Sequence, residues 1–134
     1  MDIVVDTSVI VAVIVNEPQR EVLIERTRGA NLLAPPSVHW EIGNAFSAML
    51  RRRRVTLAEA LKAIEVYRQI PIRYVEVELA EALKVAGEAG IYAYDAYLIR
   101  CAQKYGTPLL TLDKELGRVA ERMGVEVIEV EVVE

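Results

Sequence analysis

Short apolar runs rich in β-branched residues recur along this chain, and a segment with helical spacing of its apolar residues follows each of the first four. The runs predict strands at residues 3–5, 32–34, 72–75, 109–112 and 125–128. Helical spacing predicts helices at residues 8–15, 19–28, 38–53, 57–69, 79–89, 96–105 and 114–123. Strands that alternate with helices pair in parallel, and runs that are apolar on both sides indicate helices on both faces of the sheet. The pattern therefore predicts an α/β fold, a three-layer α/β/α sandwich around a parallel five-stranded sheet.

Local signals agree with these boundaries. Thr56 and Glu59 have the spacing of a capping box at the start of a helix. Glycines follow four of the predicted helices, at Gly29, Gly90, Gly106 and Gly124. No linker is long enough to divide the 134 residues, so we expect one domain spanning residues 1–134.

The composition excludes several classes of protein. Hydrophobic residues make up 53% and charged residues 27% of the chain, which is ordinary for a globular domain. Cys101 is the single cysteine and His39 the single histidine, so an internal disulfide and a Cys/His zinc site are excluded. No phosphate-binding glycine loop is present. We expect no membrane span and a cytoplasmic location, because the apolar runs are short and no signal peptide is evident. The single tryptophan, Trp40, is expected to pack.

Three aspartates lie at junctions between predicted elements. Asp6 follows the first strand, Asp113 follows the fourth, and Asp95 precedes the helix at 96–105. The carboxyl ends of strands in an open α/β sheet are where ligands bind, so Asp6 and Asp113 can share a cation there. The alternative is that each aspartate only caps a helix, because aspartate is a preferred N-cap residue and suits the positive end of the helix dipole.

Glu41 has no capping role, because it lies inside the helix predicted at 38–53. At about 100° per residue it shares a face with Val38, Ala45 and Ala48, which are small or apolar. Burying an ionised carboxylate without a partner costs several kcal/mol, so a cation or a basic side chain is expected nearby. The competing interpretation is a surface glutamate paired with an arginine.

Two hydroxyl groups are candidates to orient these acids. Thr111 lies two residues before Asp113, so on a regular strand the two side chains point to the same side. Ser8, or its neighbour Thr7, can donate a hydrogen bond to a carboxylate or to a metal-bound water. A hydroxyl at the start of a helix is also a common cap.

Four segments together resemble a known family. They are Val4-Val5-Asp6-Thr7-Ser8, Glu41-Ile42-Gly43-Asn44-Ala45, Tyr94-Asp95-Ala96-Tyr97-Leu98 and Leu110-Thr111-Leu112-Asp113. In order and spacing they closely resemble the PIN-domain ribonucleases, in particular the VapC-type toxins of VapBC toxin–antitoxin pairs. The resemblance implies strand order 3-2-1-4-5 and Mg²⁺ or Mn²⁺ bound by Asp6, Glu41, Asp95 and Asp113, with Ser8 or Thr7 and Thr111 assisting. Some family members carry a further acid a few residues after the fourth; here Glu115 is near but Gly117 is uncharged, which puts a complete second metal site in doubt.

The resemblance implies an endoribonuclease with a VapB-like antitoxin partner and a homodimeric state. Two amphipathic helices, at 57–69 and 79–89, can build the dimer, although core packing explains the same pattern. Hydrolysis by a metal-activated water needs no covalent intermediate. The alternatives are a non-cleaving interaction module with the same fold, and a receiver-like phospho-acceptor domain, for which the adjacent acidic pair and the late lysine are missing.

The net charge of −4 argues against a nucleic-acid partner, because phosphate binding usually needs a basic surface. A local basic patch can meet this objection, and Arg51, Arg52, Arg53 and Arg54 are the candidate RNA contacts. The competing interpretation is that these arginines end the helix at 38–53, where cations stabilise the helix dipole.

Overall fold

The computed structural model of the protein describes residues 1–130, so 131–134, the end of the predicted domain, lie outside the described residues. The strands are β1 (Asp2–Val5), β2 (Asn31–Ala34), β3 (Ile72–Tyr74), β4 (Leu109–Leu110) and β5 (Val127–Ile128). The helices are α1 (Thr7–Ile14), α2 (Arg20–Thr27), α3 (Ser37–Arg51), α4 (Leu57–Tyr67), α5 (Leu79–Ala89), α6 (Ala93–Tyr105) and α7 (Lys114–Arg122).

All five strands pair in parallel, in the order β3-β2-β1-β4-β5. From β1 to β3 the chain steps in one direction across the sheet, and from β3 to β5 it returns in the other. Right-handed crossovers then place α1 to α4 on one face and α5 to α7 on the opposite face. The predicted three-layer sandwich and its strand order are confirmed. The reversal of direction falls between β1 and β4.

The core lies on both faces of the adjacent strands β1 and β4. Val4, Leu109 and Leu110 have no exposed surface, which explains why their runs are apolar without alternation. On α3, Val38, Ile42 and Phe46 repeat every four residues and form the buried face of that helix. The prediction that Trp40 packs is wrong, because its neighbours fill the buried face and 74% of its surface is exposed.

Local signals begin α4 and end α5 and α6 where the sequence predicted. Thr56 and Glu59 exchange backbone and side-chain hydrogen bonds in a complete capping box. Gly90 and Gly106 end α5 and α6 in the left-handed conformation, which glycine adopts without steric cost. No described helix is both long enough and apolar enough to cross a membrane.

Two boundaries differ from prediction in ways that affect the polar residues. Helix α6 begins at Ala93, three residues earlier than expected, because extended Tyr92 already supplies the first carbonyl, which accepts from the Ala96 amide at 3.2 Å. Strand β4 ends at Leu110 rather than at residue 112. Asp95 therefore lies inside a helix, and Thr111 lies beyond a strand.

Candidate metal centre

The site lies where the sheet reverses direction, at the carboxyl ends of β1 and β4. Val5 and Leu110 are paired at the end of these strands, and the amide of Asp6 donates to the Leu110 carbonyl at 3.4 Å. From here β1 continues into α1 and β4 into α7, on opposite faces of the sheet. Such a point opens a crevice at the sheet edge, where α/β proteins bind their ligands.

Asp6 is buried here, with 4% of its surface exposed, and caps α1. Its Oδ1 accepts from the Ser8 hydroxyl at 2.6 Å and from the Val9 amide at 3.1 Å. Its Oδ2 accepts from the Thr111 hydroxyl. Burial raises the pKa of Asp6 most strongly, the hydrogen bonds from Ser8, Thr111 and Val9 lower it, and the charge of Asp113 raises it; the net shift is upward.

The two hydroxyl groups also bind the backbone of the loop after β4. The Ser8 hydroxyl accepts from the Leu112 amide at 3.0 Å, and the Thr111 hydroxyl accepts from the Asp113 amide at 3.0 Å. Each hydroxyl thus donates to Asp6 and accepts from this loop. The expectation that Thr111 shares a strand face with the Asp113 side chain is wrong, because β4 has already ended.

Asp113 caps α7, since its Oδ1 accepts from the amides of Glu115 at 3.0 Å and Leu116 at 3.1 Å. Both bonds end on Oδ1, so Oδ2 takes no part in the cap. The capping interpretation of Asp6 and Asp113 is therefore confirmed. It does not exclude metal binding, because the cap engages only some of the carboxylate lone pairs.

Asp95 has no such role. It lies in the first turn of α6, whose N-cap is Tyr92, and the prediction that Asp95 precedes this helix is wrong. Burial is the largest cause of its raised pKa, and the charge of Asp113 adds to it. A carboxylate in the first turn still benefits from the helix dipole.

Glu41 lies within α3 and is half-buried, and its Oε2 is buried without a hydrogen-bond partner among residues 1–130. No arginine or lysine of the described chain forms a salt bridge with Glu41, so the surface ion pair considered from the sequence is not formed. Burial first, then the charges of Asp95 and Asp6, raise its pKa to about 7.

These four carboxylates are electrostatically coupled to one another. The charges of Asp95 and Asp6 raise the pKa of Glu41. The charge of Asp113 raises the pKa of both Asp6 and Asp95. The four couplings connect Asp6, Glu41, Asp95 and Asp113 in a closed ring. Helix α3, which follows β2, helix α6 and the ends of β1 and β4 therefore bring the predicted acids together.

The donor chemistry fits a hard divalent cation such as Mg²⁺, which prefers carboxylate oxygens and relieves their mutual repulsion. The unpartnered Oε2 of Glu41 supports this fit. However, no group of three or more His, Cys, Asp or Glu residues within 1–130 is arranged to hold a metal. Asp6 explains part of this, because its oxygens are engaged by Ser8, Val9 and Thr111.

The four arginines lie away from the ring. Arg51 is the last residue of α3, ten residues after Glu41, or about 15 Å along the helix axis at 1.5 Å per residue. Arg52, Arg53 and Arg54 follow it and are exposed. RNA contact by this patch stays a prediction, and it concerns nucleotides away from the acids.

Sequence reasoning missed Gln19 near the site. Its Oε1 is buried without a partner among the described residues, and its side chain lines a groove that also includes Thr111 and Asp113. Nothing in the sequence points to Gln19, because the other groove residues are more than ninety positions away along the chain.

Comparisons with known proteins agree with this architecture. The sequence profile of the PIN domain matches residues 3–122. PAE2754 from Pyrobaculum aerophilum has a TM-score of 0.70 and 28% identity, over 89% of this chain and 87% of that one. A domain of a functionally unknown protein from Methanocaldococcus jannaschii has a TM-score of 0.58 and 25% identity, over 99% and 93% of the two chains.

A third solved structure shares the fold at lower identity. VapBC2 from Rickettsia felis, bound to a DNA fragment from its promoter, has a TM-score of 0.68 and 12% identity, over 98% of this chain and 100% of that one. At this identity the likeness concerns the fold alone. No curated protein matches the sequence significantly.

Two substitutions separate the capping role of Asp113 from a role in metal binding. Asp113→Asn keeps an oxygen that accepts the α7 amides, so unfolding free energy in chelator should stay close to wild type. Asp113→Ala should cost about 1 kcal/mol, because the cap is lost. Both should bind Mn²⁺ at least about tenfold more weakly in calorimetry, the order seen when a metal site loses a supporting group. Wild-type Mn²⁺ affinity in Asp113→Asn contradicts the ligand role.

The raised pKa of Glu41 predicts how stability depends on pH. The native state holds the Glu41 proton up to about pH 7, whereas the ordinary pKa is 4.5. Between these values the native state binds more protons, so stability falls as pH rises, and the penalty is constant above pH 7. In chelator at about pH 8, Glu41→Gln should be more stable than wild type by on the order of 1 kcal/mol after solvent screening.

The control for this prediction is the same pair of proteins near pH 4, where both side chains are neutral and the difference should vanish. Urea unfolding at both pH values measures it. An equal stability difference at pH 4 and pH 8 means that packing, rather than the charge of Glu41, causes the effect.

Proposed function

The chain belongs to the PIN domain family, and from this premise we propose that it is a divalent-metal-dependent endoribonuclease and the toxin of a toxin–antitoxin pair. PIN domains are generally nucleases. The observation that carries the proposal is the ring of four coupled carboxylates at the carboxyl edge of the sheet. We further propose that residues 1–134 act as one nuclease domain.

In this proposal Asp6, Glu41, Asp95 and Asp113 hold Mg²⁺ or Mn²⁺. A divalent ion bound there supplies positive charge against the phosphodiester and lowers the pKa of a bound water. Glu41 contributes the buried, unpartnered Oε2, and Asp113 contributes Oδ2, which its helix cap leaves unused. Below about pH 7 protonation of Glu41 competes with metal binding, so the affinity for the metal should fall as the pH is lowered.

Ser8 and Thr111 act as positioning residues. Each hydroxyl fixes one oxygen of Asp6 and is itself fixed by an amide of the loop after β4. Outer groups of this kind orient metal ligands and limit their rotation. They also keep Asp6 close to the segment that carries Asp113.

Binding of RNA by an acidic protein needs local attraction. The metal reduces the negative charge at the ring, and Arg51 to Arg54 can hold the strand some distance away, beyond the scissile phosphate. Trp40 precedes Glu41 and is largely exposed, so it can stack on a base of a single strand. These features support single-stranded RNA as the substrate.

Protein partners are a further part of the proposal. The solved VapBC2 complex shares this fold, which supports a VapB-like antitoxin as a partner. Exposed leucines stand one turn apart on two helices, Leu57 and Leu61 on α4 and Leu79 and Leu83 on α5. Apolar surface of this kind is typical of interaction sites and supports a homodimer as well as an antitoxin contact.

A second candidate function is a non-cleaving interaction module with the PIN fold. The observation that favours it is that no three acids among the described residues are arranged to hold an ion. Calorimetry distinguishes the two, because the module should bind neither Mn²⁺ nor Mg²⁺, whereas the nuclease should bind at least one of them.

The nuclease proposal predicts RNA cleavage that depends on Asp6. Purified protein should cleave single-stranded RNA with Mn²⁺ or Mg²⁺, and chelator should abolish the activity. Asp6→Asn should lower the rate about 100-fold or more, because loss of a ligand should exceed the effect of losing an outer supporting group. Product ends are measured by gel electrophoresis and sequencing.

Asp2→Asn is the matched control for this experiment. Asp2 begins the same strand that Asp6 follows, and its exposed carboxylate accepts only from the Asn31 amide group at 3.0 Å among the described residues. This variant should cleave at the wild-type rate. RNA cleavage that persists after chelation, or in Asp6→Asn, contradicts the proposal.

A further inference from the structure

A groove of about 380 Å³ lies beside the carboxylate ring, between α7 and the segment that contains β5. This volume is within the range of about 300–1,000 Å³ that small-molecule sites occupy. Thr111 and Asp113 form its end nearest the ring. The groove and the proposed metal centre therefore share a wall.

Charges are distributed unevenly along this groove. Lys114 and Arg118 line the groove between Asp113 and Glu121 on α7. Lys114 forms no salt bridge within residues 1–130, and Arg118 pairs with Glu115 at 2.8 Å while staying 68% exposed. Glu121 lies about two turns after Asp113, or about 12 Å along the axis at 1.5 Å per residue. The groove thus has two basic side chains between the carboxylates of Asp113 and Glu121.

Apolar groups form the floor between these charges. Leu112, Val127 and Ile128 line it, and Gly117 is the point of α7 that approaches them. A Cβ at Gly117 would lie 3.6 Å from Val127 Cγ1 and 3.9 Å from Thr111 Cγ2. A methyl group therefore just fits, and a longer side chain there has to enter the groove.

Hydrogen-bond acceptors dominate the polar groups away from the ring. Gln19 lines the groove with a buried Oε1 that has no partner among the described residues. Glu121 and Glu129 add exposed carboxylates. The two exposed carboxylates match a ligand with N–H donors on its edge.

We propose that this groove binds one nucleoside of the RNA strand, next to the scissile phosphate. Its phosphate faces Lys114 and Arg118, its base lies on the apolar floor, and an exocyclic amino group of the base donates to Glu121 or Glu129. Guanine, adenine and cytosine carry such amino donors and uracil does not, so the groove favours cleavage beside the first three. This inference rests on the proposed nuclease function and adds a determinant of base preference.

Gly117→Leu tests the groove without altering a carboxylate of the ring. The variant should bind Mn²⁺ like wild type but raise KM for RNA about tenfold, the order expected when one base loses its stacking contacts. It should also lose the base preference seen by sequencing cleaved ends. Gly87→Leu is the matched control, because Gly87 lies on α5 with nothing within 4 Å of an added Cβ. It should keep the wild-type KM and preference.

Glu121→Gln provides a second test that does not change the packing of the helix. Glu121 is exposed, so the variant should fold, and its cleavage ends should shift in base preference by severalfold while kcat is kept. Unchanged KM and unchanged base preference in Gly117→Leu, or unchanged preference in Glu121→Gln, overturn the groove proposal. If wild type itself cleaves no RNA with Mn²⁺ present, the proposed function has failed instead.

Discussion

The buried carboxylate of Asp6 holds together the carboxyl ends of β1 and β4 and the loop after β4. Removing a carboxylate from water is costly unless hydrogen bonds compensate it, and here two hydroxyls and one amide do so. Because Ser8 and Thr111 come from different strand ends and also bind the loop after β4, the same contacts fix the crevice at the sheet reversal. The positions of Asp113 and of the groove beside α7 depend on this connection.

The ring combines helix capping with the proposed metal binding in the same side chains. Asp6 and Asp113 begin helices as ordinary caps, which fixes where their carboxylates lie at little conformational cost. Glu41 and Asp95 lie inside helices and cap nothing, so their raised pKa values are the clearest sign of unrelieved repulsion and burial. Such perturbed groups in a cleft are typical of functional sites. Helix capping therefore stabilises the ring, while the repulsion that remains between its carboxylates favours binding of a cation.

Much of the architecture could be predicted from periodicity. The apolar runs that form β1 and β4 lack alternation, which predicts burial on both sides. The alternation of strands with helices predicts the parallel sheet and its helical layers. Strand order, in contrast, came from the resemblance, because local patterns do not encode which strands become neighbours. The grouping of Glu41 with Asp6 also came from the resemblance, because helix register indicated only that Glu41 faces partly buried surroundings.

The errors have local physical causes. Asp95 was placed before its helix because aspartate is a common N-cap, whereas backbone geometry at Tyr92 starts the helix earlier. Thr111 was placed on a strand because its neighbours are apolar. Trp40 was expected to pack because of its hydrophobicity, although its register on α3 turns it outward. The groove could not be predicted, since residues near positions 19, 117 and 127 meet only in the folded chain.

We propose that Asp6, Glu41, Asp95 and Asp113 together bind a divalent cation. The decisive measurement is the anomalous signal of Mn²⁺ soaked into crystals of the protein. We expect a peak enclosed by these carboxylates, with Glu41 Oε2 among the ligands, and loss of that peak in Asp6→Asn. A structure of the soaked protein with no peak at the ring, or with Mn²⁺ bound only elsewhere, would show that these carboxylates do not form a metal site.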